Sequence, residues 1–211
     1  MLKMLLVYLH LIATCAAIGT IVITDMRLLA KVMGYRVVIP PPQRFETLTI
    51  TFALIALYIT GGVLVFLGLD ERPDYLMGNG KLQAKLVLVA LLTVNAFALH
   101  HWVFPILQRS RPVSAWRRKD WLTVAIAVSA SNSTWFFVAF LGIARGWNYS
   151  VSVGFVLSTA LLGWATLFVG VNLVLLLASR DMPREQPDWI DAVKSSWTDL
   201  AELESTKGRR Y

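Results

Sequence analysis

Residues 151–178, VSVGFVLSTALLGWATLFVGVNLVLLLA, form one continuous run without an aspartate, glutamate, lysine or arginine. A helix needs about 20 apolar residues to cross the hydrocarbon core of a bilayer, because each residue adds about 1.5 Å. Four more stretches meet this requirement, so the predicted spans are residues 2–24, 48–69, 82–107, 121–143 and 151–178. The sequence therefore predicts an all-α polytopic membrane helix bundle with five transmembrane helices.

The composition of the whole chain agrees with a membrane protein. Hydrophobic residues make up 56% of the 211 residues and charged residues 16%, whereas soluble domains hold about 45–50% and about 25%. The mean hydropathy is +0.60 and the pI is near 9.8. The basic residues lie in short clusters between apolar stretches, where membrane proteins place topology signals. We therefore expect a lipid bilayer as the surrounding medium and no nucleic-acid partner.

The first span begins like a secretory signal peptide, with Lys3 before an apolar run and Ala16-Ala17 after it. The apolar run continues to Thr24, which is too long for a signal peptide, so we predict a retained span. Lysine and arginine are most frequent in the first and third loops, which predicts that these loops are cytoplasmic. We therefore expect a bacterial inner-membrane protein with a periplasmic N-terminus and a cytoplasmic C-terminus.

Two segments outside the spans have recognisable patterns. Residues 25–36 are predicted to extend the first helix along the interface until Pro40-Pro41-Pro42 ends it. The tail, residues 181–211, is predicted to form a separate cytoplasmic unit with an amphipathic helix, after the transmembrane bundle of residues 1–180. Its apolar face, which includes Trp189, Val193 and Trp197, would lie on the membrane or on the chain's own cytoplasmic loops. The alternative is that it binds a partner protein, and the acidic opposite face, which matches anionic lipid poorly, gives this alternative some added support.

Ionisable residues inside spans are costly, so each is a functional candidate. His10 in the first span and Lys85 in the third both lie in the outer half, and they would meet if these two helices pack together. At 100° per residue, His100 lies about 60° from the Lys85 face and His101 about 160°. We therefore predict that His100 faces the bundle interior and that His101 with Trp102 belongs to the interface belt. The simpler alternatives are that Lys85 extends to the headgroups and that His10 makes one structural hydrogen bond.

Uncharged polar residues also occur within the spans. Asparagine and serine in membrane helices most often make hydrogen bonds between helices, and we predict this role for Asn95, Asn172 and the stripe formed by Ser129, Asn132 and Ser133. Small residues, including Ala17 and Gly61-Gly62, allow close helix packing or leave room for a flat cofactor. The sequence is compatible with both uses of these small residues.

A haem needs an axial donor such as imidazole and apolar walls around the macrocycle. His10 is the candidate donor and metal ligand, and His100 is the candidate second ligand. These two histidines are offset by about 10 Å across the membrane, which is borderline for one bis-histidine haem. Two haems or one five-coordinate haem are the other possibilities. Residues of the kind that form such walls are Phe52, Leu54, Leu57, Tyr58, Leu88, Leu92 and Phe97.

Copper is a second cofactor hypothesis, since Met1, Met4, His10 and Cys15 include the soft ligands that Cu(I) prefers. Other chemistry has less support. The sequence contains no GxGxxG, Walker, HExxH or nucleophile-elbow motif, which argues against nucleotide-driven and hydrolytic functions. A solute permease is also disfavoured, because five spans do not form an inverted repeat.

Two short pieces resemble a known superfamily. His10 with Gly19 and the run Asp25-Met26-Arg27-Leu28-Leu29 form the first piece, and residues 81–88, KLQAKLVL, form the second. Together they resemble the copper-resistance D-type and HemJ-type membrane proteins over roughly the first three to four spans. The resemblance implies a bound haem b held by His10, a functional lysine at Lys85, and an oxidoreductase of the protoporphyrinogen oxidase type. The chain differs from the HemJ pattern in helix one, at Ala17 and residues 25–27, and in having a fifth span and a tail.

The favoured function is therefore haem b, or other tetrapyrrole, binding for membrane redox chemistry. His10 would be the axial ligand, with His100 as a second ligand. Lys85 would pair with a propionate or an acidic substrate group and take the catalytic role. The competing hypothesis is a non-catalytic structural or assembly subunit of a larger membrane complex, bound through the tail helix, with a homo-oligomer as a further alternative.

Overall fold

The computed structural model describes residues 1–34, 39, 41–109 and 111–180. These residues belong to one compact unit, Met1–Arg180. The predicted tail helix, with Trp189, Val193 and Trp197, lies outside the described residues.

Every regular element within these ranges is helical. The long helices are α1 (Leu2–Gly34), α2 (Arg44–Glu71), α3 (Gly80–Ala98), α5 (Arg118–Ile143) and α6 (Val153–Ser179). A π-helical turn, Leu99–Val103, joins α3 to the short helix α4, Phe104–Gln108. Five helices are long and apolar enough to cross a membrane, at Leu2–Arg27, Arg44–Glu71, Gly80–Gln108, Arg118–Ile143 and Val153–Ser179. The prediction of an integral membrane bundle with five spans is confirmed.

The helices extend a few residues past the predicted apolar runs because polar residues cap their ends. The first helix continues to Gly34, as the extension along residues 25–36 predicts. Helix α2 begins at Arg44, where the Glu46 carboxylate accepts a hydrogen bond from the Gln43 backbone at 2.9 Å. The Asn79 and Ser152 side chains accept in the same way from Leu82 and Phe155 at the starts of α3 and α6.

The third span is interrupted by the π-turn, and Pro105 gives the reason. Proline has no backbone N–H, and its ring crowds the carbonyl of the residue four positions earlier. Here that carbonyl belongs to His101. Inside the turn, the Phe104 N–H bonds to the Leu99 carbonyl, five residues back. The wider turn relieves this crowding and changes the angular position of every following residue relative to a regular α-helix.

The bundle is held by side-chain packing in two groups of helices. Helix α1 packs mainly against α2, and α5 packs mainly against α6 and α3. The groups meet at one cluster of buried residues: Ala17, Ile21, Ala53, Leu92 and Trp135. The Tyr58 and Thr93 hydroxyls, 2.6 Å apart, also join α2 to α3. The two groups therefore have narrow contacts with each other, which leaves space between α2 and α3.

Hydrogen bonds between helices involve all three of the predicted asparagines. Asn95 donates to the Ala127 carbonyl at 2.9 Å, Asn132 donates to the Asp25 carboxylate at 2.7 Å, and the Trp121 indole donates to Asn172 at 2.9 Å. These confirm the predicted role. Ser129 differs, because it is fully buried and donates to the Ile126 carbonyl of its own helix.

A substitution at Ala17 tests the packing of α1 against the rest of the bundle. Ala17 is completely buried in the cluster where the two groups of helices meet. We expect Ala17→Leu to destabilise the protein by about 1–3 kcal/mol, since a well-packed core has no room for the added atoms. Thermal unfolding in detergent, followed by loss of the monodisperse peak, measures the effect. Ala16→Leu is the matched control, because Ala16 is exposed on the same helix. Equal losses of stability in both variants would contradict this packing.

Candidate functional site

His10 lies on the face of α1 that packs against α2. Its Nδ1 is 2.8 Å from the Thr60 hydroxyl oxygen, and that hydroxyl donates to the Ala56 carbonyl at 2.7 Å. Because the single hydroxyl hydrogen of Thr60 is used in this way, the imidazole donates through Nδ1. Its Nε2 therefore carries the free lone pair. A histidine held through one nitrogen in this manner is oriented to bind a metal or a donor through the other.

Gly61 gives the imidazole its position against α2. A Cβ added at Gly61 would lie 3.4 Å from the Cε1 atom of His10, at the short end of ordinary van der Waals contact. The ring therefore lies close to the α2 backbone at Gly61, next to its partner Thr60.

Lys85 of α3 lies within electrostatic range of His10. The lysine amino group itself lies beside Gly142 of α5. The side chain is partly buried. Among the described residues, the Lys85 amino group has no hydrogen-bond or ion-pair partner. An amino group without a partner inside a membrane bundle is costly, so this position calls for a functional explanation.

Lys81 lies one helical turn before Lys85 and adds a second positive charge. It is buried, and its amino group donates to the Ala144 carbonyl at 3.1 Å, at the C-terminal end of α5. A cation is favourable there because the last carbonyls of a helix carry partial negative charge. Lys81 and Lys85 therefore provide positive charge that attracts anions near the neutral His10 imidazole, and we call these three residues the His10–Lys85 site.

His100 lies in a different place. With His101 it lines a cavity of about 430 Å³ between α2 and α3, with Ser131 and Trp135 of α5 also in its walls. The His101 Nδ1 donates to the Phe97 carbonyl at 3.0 Å, and the His100 ring lies 4.8 Å from the Phe104 ring. Both side chains are exposed in the isolated chain. The prediction that only His100 faces the bundle assumed a regular α-helix, whereas the π-turn brings both histidines to one cavity.

The two candidate haem ligands are therefore not brought together. The part of α2 that lines the cavity ends at Leu54, six residues before Thr60, the partner of His10. Six residues correspond to about 9 Å along the helix. The geometry consequently supports a site with one histidine at His10, and it gives no support to one macrocycle held by both His10 and His100.

The proposed copper ligands do not add to this site. Met1, Met4 and Cys15 are all exposed. Within the ranges that the structure describes, no group of three or more histidine, cysteine, aspartate or glutamate residues could hold a metal ion. Haem differs in this respect, because the porphyrin supplies most of the iron ligands itself and one imidazole is enough.

Charged residues at the two ends of the α1–α2 pair fix how these helices align. Lys3 and Glu71 form an ion pair at 2.7 Å at one end, and Arg27 and buried Glu46 form another at 2.6 Å at the other end. Asp25 is bonded to Asn132 instead. These contacts set the register that places His10 opposite Thr60.

Sequence reasoning did not find Thr60 or Lys81 as parts of the site. Lys81 could have been found, because residues four apart share one face of a helix. Thr60 carried no signal of its own, since many threonines in membrane helices bond only to their own backbone, as Thr20 and Thr51 do here.

Comparison with known proteins gives no match to a family model, to a curated protein or to a solved structure.

The unpaired amino group of Lys85 gives a stability prediction. We expect Lys85→Met to stabilise the protein by roughly 1 kcal/mol, because the substitution keeps the length of the side chain and removes a polar group without a partner. Lys81→Met is the control, and it should be neutral or destabilising because it removes the bond to Ala144. Thermal unfolding of the purified protein in detergent measures both. A clear loss of stability in Lys85→Met would mean that Lys85 has a structural role.

Proposed function

We propose that this chain binds haem b, or another tetrapyrrole, for redox chemistry in the membrane, with His10 as the axial ligand. The observation that carries the proposal is the His10–Lys85 site. An imidazole with a free Nε2 lies within electrostatic range of an amino group that has no partner among the described residues. The imidazole suits an iron and the amino group suits a carboxylate. A haem carries both an iron and propionate carboxylates.

The donor chemistry of His10 fits this role. Thr60 fixes the ring orientation and keeps the proton on Nδ1, which is the arrangement that second-sphere partners provide for ligating histidines. His10 belongs to the part of α1 that is long and apolar enough to span the membrane, and the hydrocarbon core of a bilayer offers no water to polar groups.

Lys85 would hold a carboxylate of the tetrapyrrole. A charge-assisted hydrogen bond between an ammonium and a carboxylate is shorter and stronger than a neutral one. Lys81 adds to the positive potential but is already bonded to Ala144. We therefore assign the direct contact to Lys85 and the supporting charge to Lys81.

A bound haem would supply one-electron chemistry at its iron. The resemblance to HemJ-type proteins suggests a porphyrinogen-oxidising enzyme, and Lys85 would then position an acidic substrate at the same place. We propose the inner membrane of a bacterium as the location. The basic first and third loops support a periplasmic N-terminus and a cytoplasmic C-terminus.

The haem proposal predicts a visible spectrum that depends on His10. We expect protein purified from haem-replete membranes to show a Soret band that shifts on reduction and a sharp α-band. His10→Ala should lose both, because no axial donor remains at this site. Thr60→Val should retain haem with shifted bands, since the ring would lose the bond that orients it.

Two further variants separate the parts of the site. Lys85→Met should weaken haem retention about tenfold while leaving the axial ligand in place, which corresponds to the loss of one charge-assisted bond. His100→Ala is the matched control and should leave the spectrum unchanged, because His100 lines the separate cavity. A flat wild-type spectrum would contradict the proposal and would make the non-catalytic subunit the function to test.

The proposed orientation predicts which loops are accessible from outside the cell. In a Cys15→Ser background, single cysteines replace Asp74, between α2 and α3, and Ser114, between α4 and α5, both of which are exposed. A membrane-impermeant maleimide added to intact spheroplasts should label position 74 and leave position 114 unlabelled. Disrupted membranes, in which both should react, provide the control. The reverse labelling pattern would invert the proposed topology.

A further inference from the structure

The cavity that contains His100 is a second candidate site, separate from the His10–Lys85 site. It lies between α2 and α3, with α5 behind it, and we call it the α2–α3 groove. Its volume is about 430 Å³, which is within the range of about 300–1,000 Å³ found for small-molecule sites. All of its described lining residues belong to membrane-spanning helices. A molecule that reaches the groove from the side therefore comes from the lipid phase.

Most polar groups in the groove already have partners in their own helices. The hydroxyls of Thr47, Thr51 and Thr93 donate to carbonyls three or four residues back, and His101 donates to Phe97. His100 and Ser131 are different. Neither side chain has a hydrogen-bond partner within the part of the chain that the structure describes, although both line the groove.

The two unpartnered groups come from different helices. His100 belongs to the π-turn of the third span and Ser131 to α5. A neutral imidazole offers one donor and one acceptor, and a serine hydroxyl offers both as well. A ligand in the groove therefore meets two separate hydrogen-bonding points. This pattern suits a ring with polar groups at two positions and does not suit a plain acyl chain.

The charge and shape of the lining restrict the ligand further. None of the described residues that line the groove is an aspartate, glutamate, lysine or arginine. An anionic phospholipid headgroup or a haem propionate would lack a countercharge here, so the groove suits a neutral molecule. Phe97, Phe104 and Trp135 supply aromatic surfaces against which a flat ring can pack.

We propose that the α2–α3 groove binds a lipid-soluble quinone or its quinol. The ring lies among the aromatic side chains, and its two oxygens bond to His100 and Ser131. Quinone carbonyls accept from the imidazole N–H and the serine O–H, and quinol hydroxyls can donate to the same two groups. The isoprenoid tail extends along the apolar walls towards lipid.

The π-turn is the structural feature that makes this site. Wide turns within α-helices often occur at functional positions, because they displace side chains and backbone groups from the regular pattern. Here the turn contains His100 and His101 and is followed by Pro105. It therefore presents the imidazole of His100 to the groove at a depth within the membrane.

The test uses the full-length protein in nanodiscs of zwitterionic lipid, with the short-tailed benzoquinone decylubiquinone as the probe. Binding is followed by quenching of tryptophan fluorescence, since Trp135 lines the groove. We expect saturable quenching in the wild type and a Kd about threefold to tenfold higher in His100→Ala and in Ser131→Ala. This range corresponds to the loss of one hydrogen bond. Ala96→Phe, which adds a ring inside the groove, should abolish saturable quenching.

Matched controls connect the effect to the groove. Ser131→Thr keeps the hydroxyl and should bind within twofold of the wild type, and Trp135→Phe should lose most of the quenching signal. His10→Ala should leave quinone binding unchanged, so this proposal and the haem proposal can fail independently. Ser131→Ala is a small change that keeps the test valid if Ala96→Phe does not fold.

Three outcomes would overturn the proposal. The first is quenching that rises linearly with quinone in the wild type, as expected for partition into lipid alone. The second is an unchanged Kd in both His100→Ala and Ser131→Ala. The third is displacement of the quinone by lower concentrations of hemin or anionic phospholipid, which would assign the groove to one of those ligands.

Discussion

The hydrocarbon core offers no water to polar groups, and this constraint explains most of the structure. Each polar group inside a span must find a partner within the protein or remain at a cost. Thr14, Thr20 and Thr24 donate to carbonyls four residues back along α1, and the asparagines join neighbouring helices. The exceptions are then informative. In the described part of the chain, the side chains with polar atoms that lack a hydrogen-bond partner include Trp164, whose Nε1 is buried. They also include Lys85, His100 and Ser131, on which both proposals are based.

The two candidate sites lie between the α1–α2 pair and the α3–α5–α6 group, which have narrow contacts with each other. The α1–α2 pair is fixed at both ends by ion pairs and in the middle by the His10–Thr60 bond. The α3–α5–α6 group is held by apolar packing. Between the groups, the His10–Lys85 site attracts anions while the α2–α3 groove has a neutral described lining. This difference in charge assigns different ligands to the two sites.

The sequence predicted the fold well, because membrane spans depend on length and hydrophobicity, which can be read directly. It also predicted that His10 and Lys85 lie at the same depth, and the structure places them within electrostatic range of each other. The environment of His100 was less predictable. The angular position of a residue in a helix assumes 3.6 residues per turn, and the π-turn before Pro105 breaks that assumption. The pairing of Thr60 with His10 was not predictable, because it depends on the register of α1 against α2, which hydropathy alone does not determine.

The length of α1 has a mechanical consequence. A helix of 33 residues is about 50 Å long, compared with a hydrocarbon core of about 30 Å. The same rigid rod carries Lys3, His10, Asp25 and Arg27, and each of them is bonded to another helix. Three of these bonds join α1 to α2, and the Asp25 bond joins it to α5. An axial shift of α1 alone would therefore strain contacts near both ends of the bundle, whereas a shift of α1 together with α2 would strain only the Asp25–Asn132 bond.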